Sequence, residues 1–294
     1  MAFRVSIFGI LSAGLVALAW PHAASAEESN TAPAPGAAPL AVPSRPVVTQ
    51  PMPRRPLVRA GDQKFSSECK VKSPAYEGRA SLRAVRRAIL EKRPVRVAAI
   101  GASSPAGSGS SSPTASYPVR LENGLEGVIE GLKVEMFTLG QTGEVEEAAA
   151  ERLKAEVAEI RPDLVVWQVG TNDAVARIDA ATFGEQLRDT LSWMASHKID
   201  VVLIDPQYIE RLSNDTLYTG IVNEIASIAS EKRVLLVNRY DAMADLARQN
   251  PGSSSLANDR FHLNDLGYRC MAEYATKAIV SGILQAENEN GAMH

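Results

Sequence analysis

The sequence predicts an α/β domain with a mostly parallel sheet covered by helices on both faces. Short β-rich apolar runs alternate with stretches of helical length and spacing, the pattern of a parallel sheet with crossover helices. One run, Asp163 to Val169, is apolar almost throughout, as expected of a strand buried on both faces. The alternation runs from Lys64 to Leu284, about 220 residues, which suits one domain and leaves no room for a second.

The elements follow in order. A helix over Arg79 to Glu91 places Leu82, Val85 and Leu90 on one side. Val95 to Ile100 is the first strand, ending in Gly101. After a Ser/Gly/Pro loop, Tyr117 to Ile129 carries Val119, Leu121, Leu125 and Ile129 at helical spacing. Then come strand Leu132 to Leu139, an Ala- and Glu-rich helix Glu144 to Ile160, and strand Asp163 to Val169. Helix Ala180 to His197, strand Asp200 to Asp205, helix Leu217 to Ser230 and strand Arg233 to Val237 continue the alternation. A final helix covers Asp265 to Ile283.

Residues 1–26 read as a secretory signal peptide. Arg4 starts it, an uncharged, mostly apolar run from Val5 to Trp20 follows, and Ala24-Ser25-Ala26 offers a small-x-small cleavage site. An uncleaved anchor is the alternative reading of the same run. Residues 27–62 hold eight prolines, from Pro33 to Pro56. Proline at that density blocks helix and sheet ladders, so this segment reads as an extended, disordered tether. Arg45, Arg54, Arg55 and Arg59 could let it touch an anionic cell-envelope surface. The folded domain is expected over 63–285, with a disordered tail over 286–294.

Composition removes several function classes. Lys plus Arg number 31 against 34 Asp plus Glu, a net charge of -3, which offers a phosphate backbone no landing surface. Nucleic acid is therefore not an expected partner; a small-molecule or glycan substrate is, with the chain a monomer. Two cysteines are too few for a disulfide-built mini-domain or a four-thiolate zinc site.

In open parallel sheets, ligands sit outside the carboxyl ends of the strands. The unusual residues fall there. Gly101-Ala102-Ser103-Ser104 ends the first strand, Gly140-Gln141-Thr142-Gly143 the second, and Gly170-Thr171-Asn172-Asp173 the third. Asp259-Arg260-Phe261-His262 precedes the last helix. Each has a bland reading: Ser103 as a cap, Gly143 as a helix-start glycine, Gly170 to Asp173 as a tight turn, Asp259 as an N-cap beside a stray His or half of a metal site. Of four histidines, His22 leaves with the signal peptide, His294 is terminal and His197 ends a helix. His262 is the one acid/base imidazole the body offers, and the rim has too few further ligands for a metal.

These four segments resemble, in order and spacing, the blocks of the SGNH hydrolase superfamily, the GDSL-like esterases, over about Val95 to Ile283. The resemblance implies a three-layer αβα sandwich with a mostly parallel five-stranded, flavodoxin-like sheet. It implies Ser103 as nucleophile, Asp259 and His262 as its triad partners, and an oxyanion hole from Ser103, Gly143 and Asn172. The family's Gly-Asp-Ser reads Gly101-Ala102-Ser103 here, so a carboxylate that helps brace the loop is missing; Ser104 is the fallback nucleophile. The residue types suit the chemistry. A serine hydroxyl needs an imidazole to take its proton and a carboxylate to orient that imidazole, and the tetrahedral oxyanion needs fixed donors.

Other motifs fail. The Gly-x-Ser-x-Gly elbow has Pro105 in place of its second glycine, Gly107-Ser-Gly109 lacks the third glycine of a dinucleotide loop at Ser112, and no Gly-Lys-Ser/Thr occurs. The expected activity is hydrolysis of short-chain esters, acetyl foremost, on a carbohydrate, with no metal or organic cofactor. A lysophospholipase or arylesterase, a glycan O-acyltransferase of the same fold, and a non-catalytic glycan-binding module are the alternatives. Export also bears on the cysteines: two lone thiols in an oxidising compartment tend to pair, so Cys69 and Cys270 are expected to form a disulfide. The alternative is a buried, unpaired Cys270 and a free Cys69.

Overall fold

The computed structural model describes residues 65–291; the expected signal peptide and proline-rich linker lie outside the described residues. Six strands form one sheet: β1 (Tyr76–Glu77), β2 (Val95–Gly101), β3 (Val134–Gly140), β4 (Leu164–Gln168), β5 (Asp200–Ile204) and β6 (Leu235–Val237). Their order is β1-β6-β5-β4-β2-β3. The five strands from β2 onward are parallel to their neighbours, in the flavodoxin-like sequence of second, first, third, fourth, fifth. The sixth strand corrects the expected count of five. Tyr76–Glu77 pairs antiparallel with β6, and two residues of mixed exposure carry no period for a sequence reading to detect.

Strand residues alternate between two cores, as the period-two geometry of a strand requires. Val97, Ala99, Leu164, Val166, Val202 and Ile204 face one side. That side is covered by α1 (Arg83–Leu90), α2 (Tyr117–Val128), α7 (Arg239–Gln249) and α8 (Asp265–Gly291). Ala98, Ile100, Val165, Trp167, Val201 and Leu203 face the other, under α3 (Glu146–Ile160), α5 (Ala180–Ser196) and α6 (Thr216–Lys232). All five residues of β4 are buried, consistent with its nearly all-apolar run. Asp179 and Asp215 cap α5 and α6, each accepting two backbone N–H groups of the first turn.

Three elements depart from expectation. The first helix begins at Arg83 rather than Arg79. Helix α7 occupies part of a stretch to which no element was assigned; its Ala242, Met243 and Leu246 are buried, but the segment is rich in Arg and Asp and its apolar stripe is narrow. The last helix continues to Gly291, so residues 286–291 are helix rather than the start of a disordered tail. Ala286 is still fully buried, which shows that packing sustains the added turns. Among the described residues, no helix is long and apolar enough to cross a membrane.

Cys69 and Cys270 form the expected disulfide, with Cα atoms 5.1 Å apart. Around it, the Tyr274 hydroxyl donates to the Cys69 carbonyl at 2.8 Å and the Ser66 N–H donates to Glu273 Oε2 at 2.9 Å. The segment leading into the domain is thereby fastened to α8.

Candidate active site

The order of the sheet reverses between β2 and β4: the chain leaves β2 toward one edge and returns to build β4 on the other side. A crevice forms at such a switch point, and the loops after β2 and β4 carry Ser103 and Asn172.

At the end of β2, Gly101 has φ +144°, and a Cβ there would lie 2.7 Å from the Gln168 carbonyl oxygen. Only glycine fits, which is why the chain can turn tightly into Ala102-Ser103-Ser104. The turn is closed by Ser108 N–H donating to the Ser103 carbonyl and Gly107 N–H to the Ser104 carbonyl, both at 3.0 Å. The loop then runs directly over the Asp259–His262 turn. A Cβ on Gly109 (φ +90°) would meet the Leu263 carbonyl oxygen at 2.4 Å and His262 Cβ at 3.0 Å. Tyr268, on α8, holds the same loop by donating its hydroxyl to the Ser108 carbonyl at 2.7 Å.

Asp259 does two jobs with two oxygens. Oδ1 accepts the backbone N–H groups of Phe261 and His262, at 2.9 and 3.0 Å, and fixes the turn. Oδ2 lies 2.6 Å from His262 Nδ1. That bond to the imidazole, with the backbone donors behind it, holds the carboxyl below the usual carboxylate range. Arg260 between them adopts φ +55°, the left-handed conformation that folds the ring back over the carboxylate. Nε2 of His262 is left for a proton transfer. The Ser103 hydroxyl does not hydrogen-bond the ring; such contacts often tighten only when substrate is bound.

Three donors stand near the same rim. The backbone N–H groups of Ser103 and Gly143 donate to nothing among the described residues. Asn172 Nδ2 donates one hydrogen to the Glu144 carbonyl at 2.8 Å, which ties the Gly143 loop to α4 (Thr171–Val175) and leaves its second hydrogen free. The Glu146 N–H donates to Asp173 Oδ1 at 2.8 Å, a second tie between the same segments. The structure thus draws the loops bearing Ser103, Asp259 and His262 together, and holds the Gly143 loop against Asn172.

Ser104, the fallback nucleophile, is engaged elsewhere. Its Oγ accepts from Arg239 Nη1 at 3.3 Å, inside the protein. Arg239 is 1% exposed, and its Nε donates to the Asp205 carbonyl at 2.8 Å. Arg239 and Gln207 had no assigned role in the sequence. Gln207 accepts from the Thr171 hydroxyl at 2.9 Å and donates to the Phe261 carbonyl at 3.3 Å, so it joins the Asn172 loop to the His262 loop. Both follow carboxyl ends of strands, β5 and β6. Their place just after strands, Gln207 after β5 and Arg239 after β6, is the sequence signal that marks them. Among the described residues, no group of three or more His, Cys, Asp or Glu side chains could hold a metal ion.

A parallel sheet of this order, with a serine, a glycine, an asparagine and an Asp-His turn on its carboxyl rim, defines an ester hydrolase of the SGNH superfamily. The chain belongs to the Non-GDSL lipase-like family, whose model matches residues 68–285. That name agrees with the alanine at position 102. No curated protein sequence matches significantly. Among solved structures, the fold is similar to an acetyl xylan esterase, AlAXEase, at 25% identity and TM-score 0.53, covering 63% of this chain and 100% of that one. It is also similar to a two-domain esterase (CEX) active on acetylated mannans, at 18% identity and TM-score 0.60. That match covers 74% of this chain but 58% of the other. TesA matches at 18% identity and TM-score 0.54, over 63% of this chain and 97% of its own.

Proposed function

We propose that the protein is an exported serine esterase that removes short acyl groups, acetyl foremost, from a carbohydrate through a Ser103 acyl-enzyme. The Asp259–His262 pair seated against the Ser103 loop carries this reading. His262 takes the Ser103 proton as Oγ attacks the ester carbonyl, then returns it to the leaving alcohol. Asp259 holds the ring with Nδ1–H toward itself and stabilises the imidazolium. The Ser103 and Gly143 N–H groups and the free Asn172 hydrogen take up the charge on the tetrahedral oxygen. Water, activated by the same imidazole, releases the acid.

The short acyl group is inferred from the loop Ser104 to Ser116, which is small and polar and builds no apolar lid for a lipid chain. The carbohydrate is inferred from the two neighbours that act on acetylated polysaccharides. Export is supported by the reading of residues 1–26 and by the Cys69–Cys270 disulfide, which suits an oxidising compartment. A chain-length series of nitrophenyl esters, followed by an acetylated polysaccharide, tests the proposal. Falling kcat/KM beyond four carbons and release of acetate are expected; preference for long chains would favour a lysophospholipase, and acyl transfer to a sugar hydroxyl in preference to water would favour the transferase.

Two expectations follow from the site. Asn172→Ala removes one oxyanion donor and the tie to Glu144, and should lower kcat by about 10²–10³; a change below threefold would remove Asn172 from the hole. Removing the imidazole in His262→Ala should lower kcat/KM by on the order of 10⁴, because the Ser103 hydroxyl then has no group to take its proton; a change below threefold would remove His262 as the base.

A further inference from the structure

Behind the oxyanion loops lies a small cavity of about 10 Å³, lined by Ala102, Glu146, Trp167, Gln168, Asn172 and Asp173 among others. Glu146 is the first residue of α3 and is 2% exposed. A glutamate in the first turn of a helix is ordinary on a surface, where the dipole favours it. Buried, it needs partners, and this one has few. Glu146 Oε1 is 3.4 Å from Thr190 Oγ1, whose hydroxyl also reaches the Gln186 carbonyl at 3.0 Å. Glu146 Oε2, Gln168 Oε1 and Trp167 Nε1 find no hydrogen-bond partner in the protein, although all are buried. Three unpartnered polar atoms thus belong to residues around one cavity, which is about large enough for a single bridging water.

The position matters as much as the burial. Glu146 N–H is bound to Asp173, and Glu144, two residues earlier, is bound to Asn172, so the Glu146 residue sits where the Gly143 loop is fastened to the Asn172 loop. Ala102, immediately before Ser103, lines the same cavity with only a methyl group. We propose that Glu146 is the positioning residue of the oxyanion hole: its carboxyl, reaching in from α3, braces the Ser103, Gly143 and Asn172 loops in the space that a carboxylate at position 102 would otherwise occupy. This rests on the reading of those three residues as the hole.

Glu146 does this as a neutral acid. Burial first, and then the Asp173 carboxylate, push it up to about 8; Glu147 on its own helix pushes the same way, while Thr190 and Lys154 pull it down. Burial raises Asp173 as well. As an acid, Glu146 can donate toward Gln168 Oε1 through a bridging water, and it does not repel Asp173. Once it loses its proton, its charge adds to that of Asp173 and Lys154 offsets this only in part, so the segments they fasten should loosen. The group binds its proton more tightly folded than unfolded, so the stability it lends is full at low pH and is lost as pH rises through about 8.

The test is a pH series on four proteins: wild type, Glu146→Gln, Glu146→Ala, and Glu146→Ala combined with Ala102→Asp. Wild-type kcat on a nitrophenyl acetate should fall about tenfold per pH unit above pH 8 with little change in KM. Glu146→Gln, which keeps a neutral donor, should lose that alkaline fall, and its Tm should decline less between pH 5 and 9 than that of wild type. Glu146→Ala should lower kcat 10- to 100-fold at pH 7, on the scale of a lost second-tier hydrogen bond to an active-site group. Adding Ala102→Asp should recover at least a third of it. An alkaline limb that persists in Glu146→Gln, or a Glu146→Ala enzyme with unchanged kcat, overturns the proposal. If Glu146→Ala does not fold, the comparison of wild type with Glu146→Gln decides alone. Ser103→Ala, run alongside, separates the two readings: full activity there removes the assigned hole, while the difference in Tm between wild type and Glu146→Gln still reports whether Glu146 is buried as an acid.

Discussion

Replacing Ser103 with alanine should lower kcat/KM by on the order of 10⁴–10⁶ and leave the fold intact. The change removes one atom from a buried side chain, and the hydrogen bond that closes the turn, from Ser108 N–H to the Ser103 carbonyl, is made by the main chain. Circular dichroism and Tm should therefore match wild type, while hydrolysis of a nitrophenyl acetate nearly vanishes. What survives should come from the proposed oxyanion donors and from binding, which do not depend on the hydroxyl. Activity retained in Ser103→Ala but lost in Ser104→Ala would move the nucleophile by one residue. The structure argues against that move, because Ser104 Oγ is committed to Arg239 and faces inward.

The largest expected effect on stability belongs to the disulfide. Cys69 and Cys270 are 201 residues apart in sequence, so the bond constrains nearly the whole unfolded domain. The chain-entropy model puts an upper bound of about 5 kcal/mol on a loop of this length, and native disulfides more often contribute about 2–4 kcal/mol. For a domain of this size that is a fall in Tm of about 5–15 °C on converting both cysteines to serine. Tyr274, Glu273 and the Arg269–Glu68 ion pair also hold the incoming segment to α8, so the native attachment should survive and the fall should come mainly from the freed unfolded chain. An unchanged Tm, or two free thiols on labelling the unfolded, unreduced protein, would contradict it. Activity should fall less than stability, since Cys270 lies on α8 beyond the Asp259–His262 turn and touches no reacting group.

Much of this protein could be read from its sequence for a local reason. The alternation of apolar strands with amphipathic helices is a pattern of near neighbours, and burial of a strand on both faces leaves Asp163 to Val169 unmistakably apolar. The Asp259–His262 contact was legible for the same reason. Asp259 and His262 are three residues apart and meet within one turn, so spacing alone places the carboxylate on the ring. Gly101 and Gly109 sit at left-handed or crowded positions that only glycine fills, and glycine marks such positions in any sequence.

What only the tertiary structure decided depends on groups that are distant in sequence. The short strand β1 exists because β6 offers it a partner; two residues hold no period of their own. Helix α7 is helical because Ala242, Met243 and Leu246 find a core, not because its composition announces one. The Ser104 hydroxyl is engaged by Arg239, which lies 135 residues further along the chain. Above all, Glu146 looks in the sequence like any acidic residue opening an Ala- and Glu-rich helix. The fold buries it beside Ala102 and Asp173, and burial changes what the carboxyl is: desolvation first, and then the Asp173 carboxylate, push it up to about 8, so at neutral pH it keeps its proton. Local spacing determines which chemistry is present, and the packing of distant segments determines the protonation and orientation in which it is held.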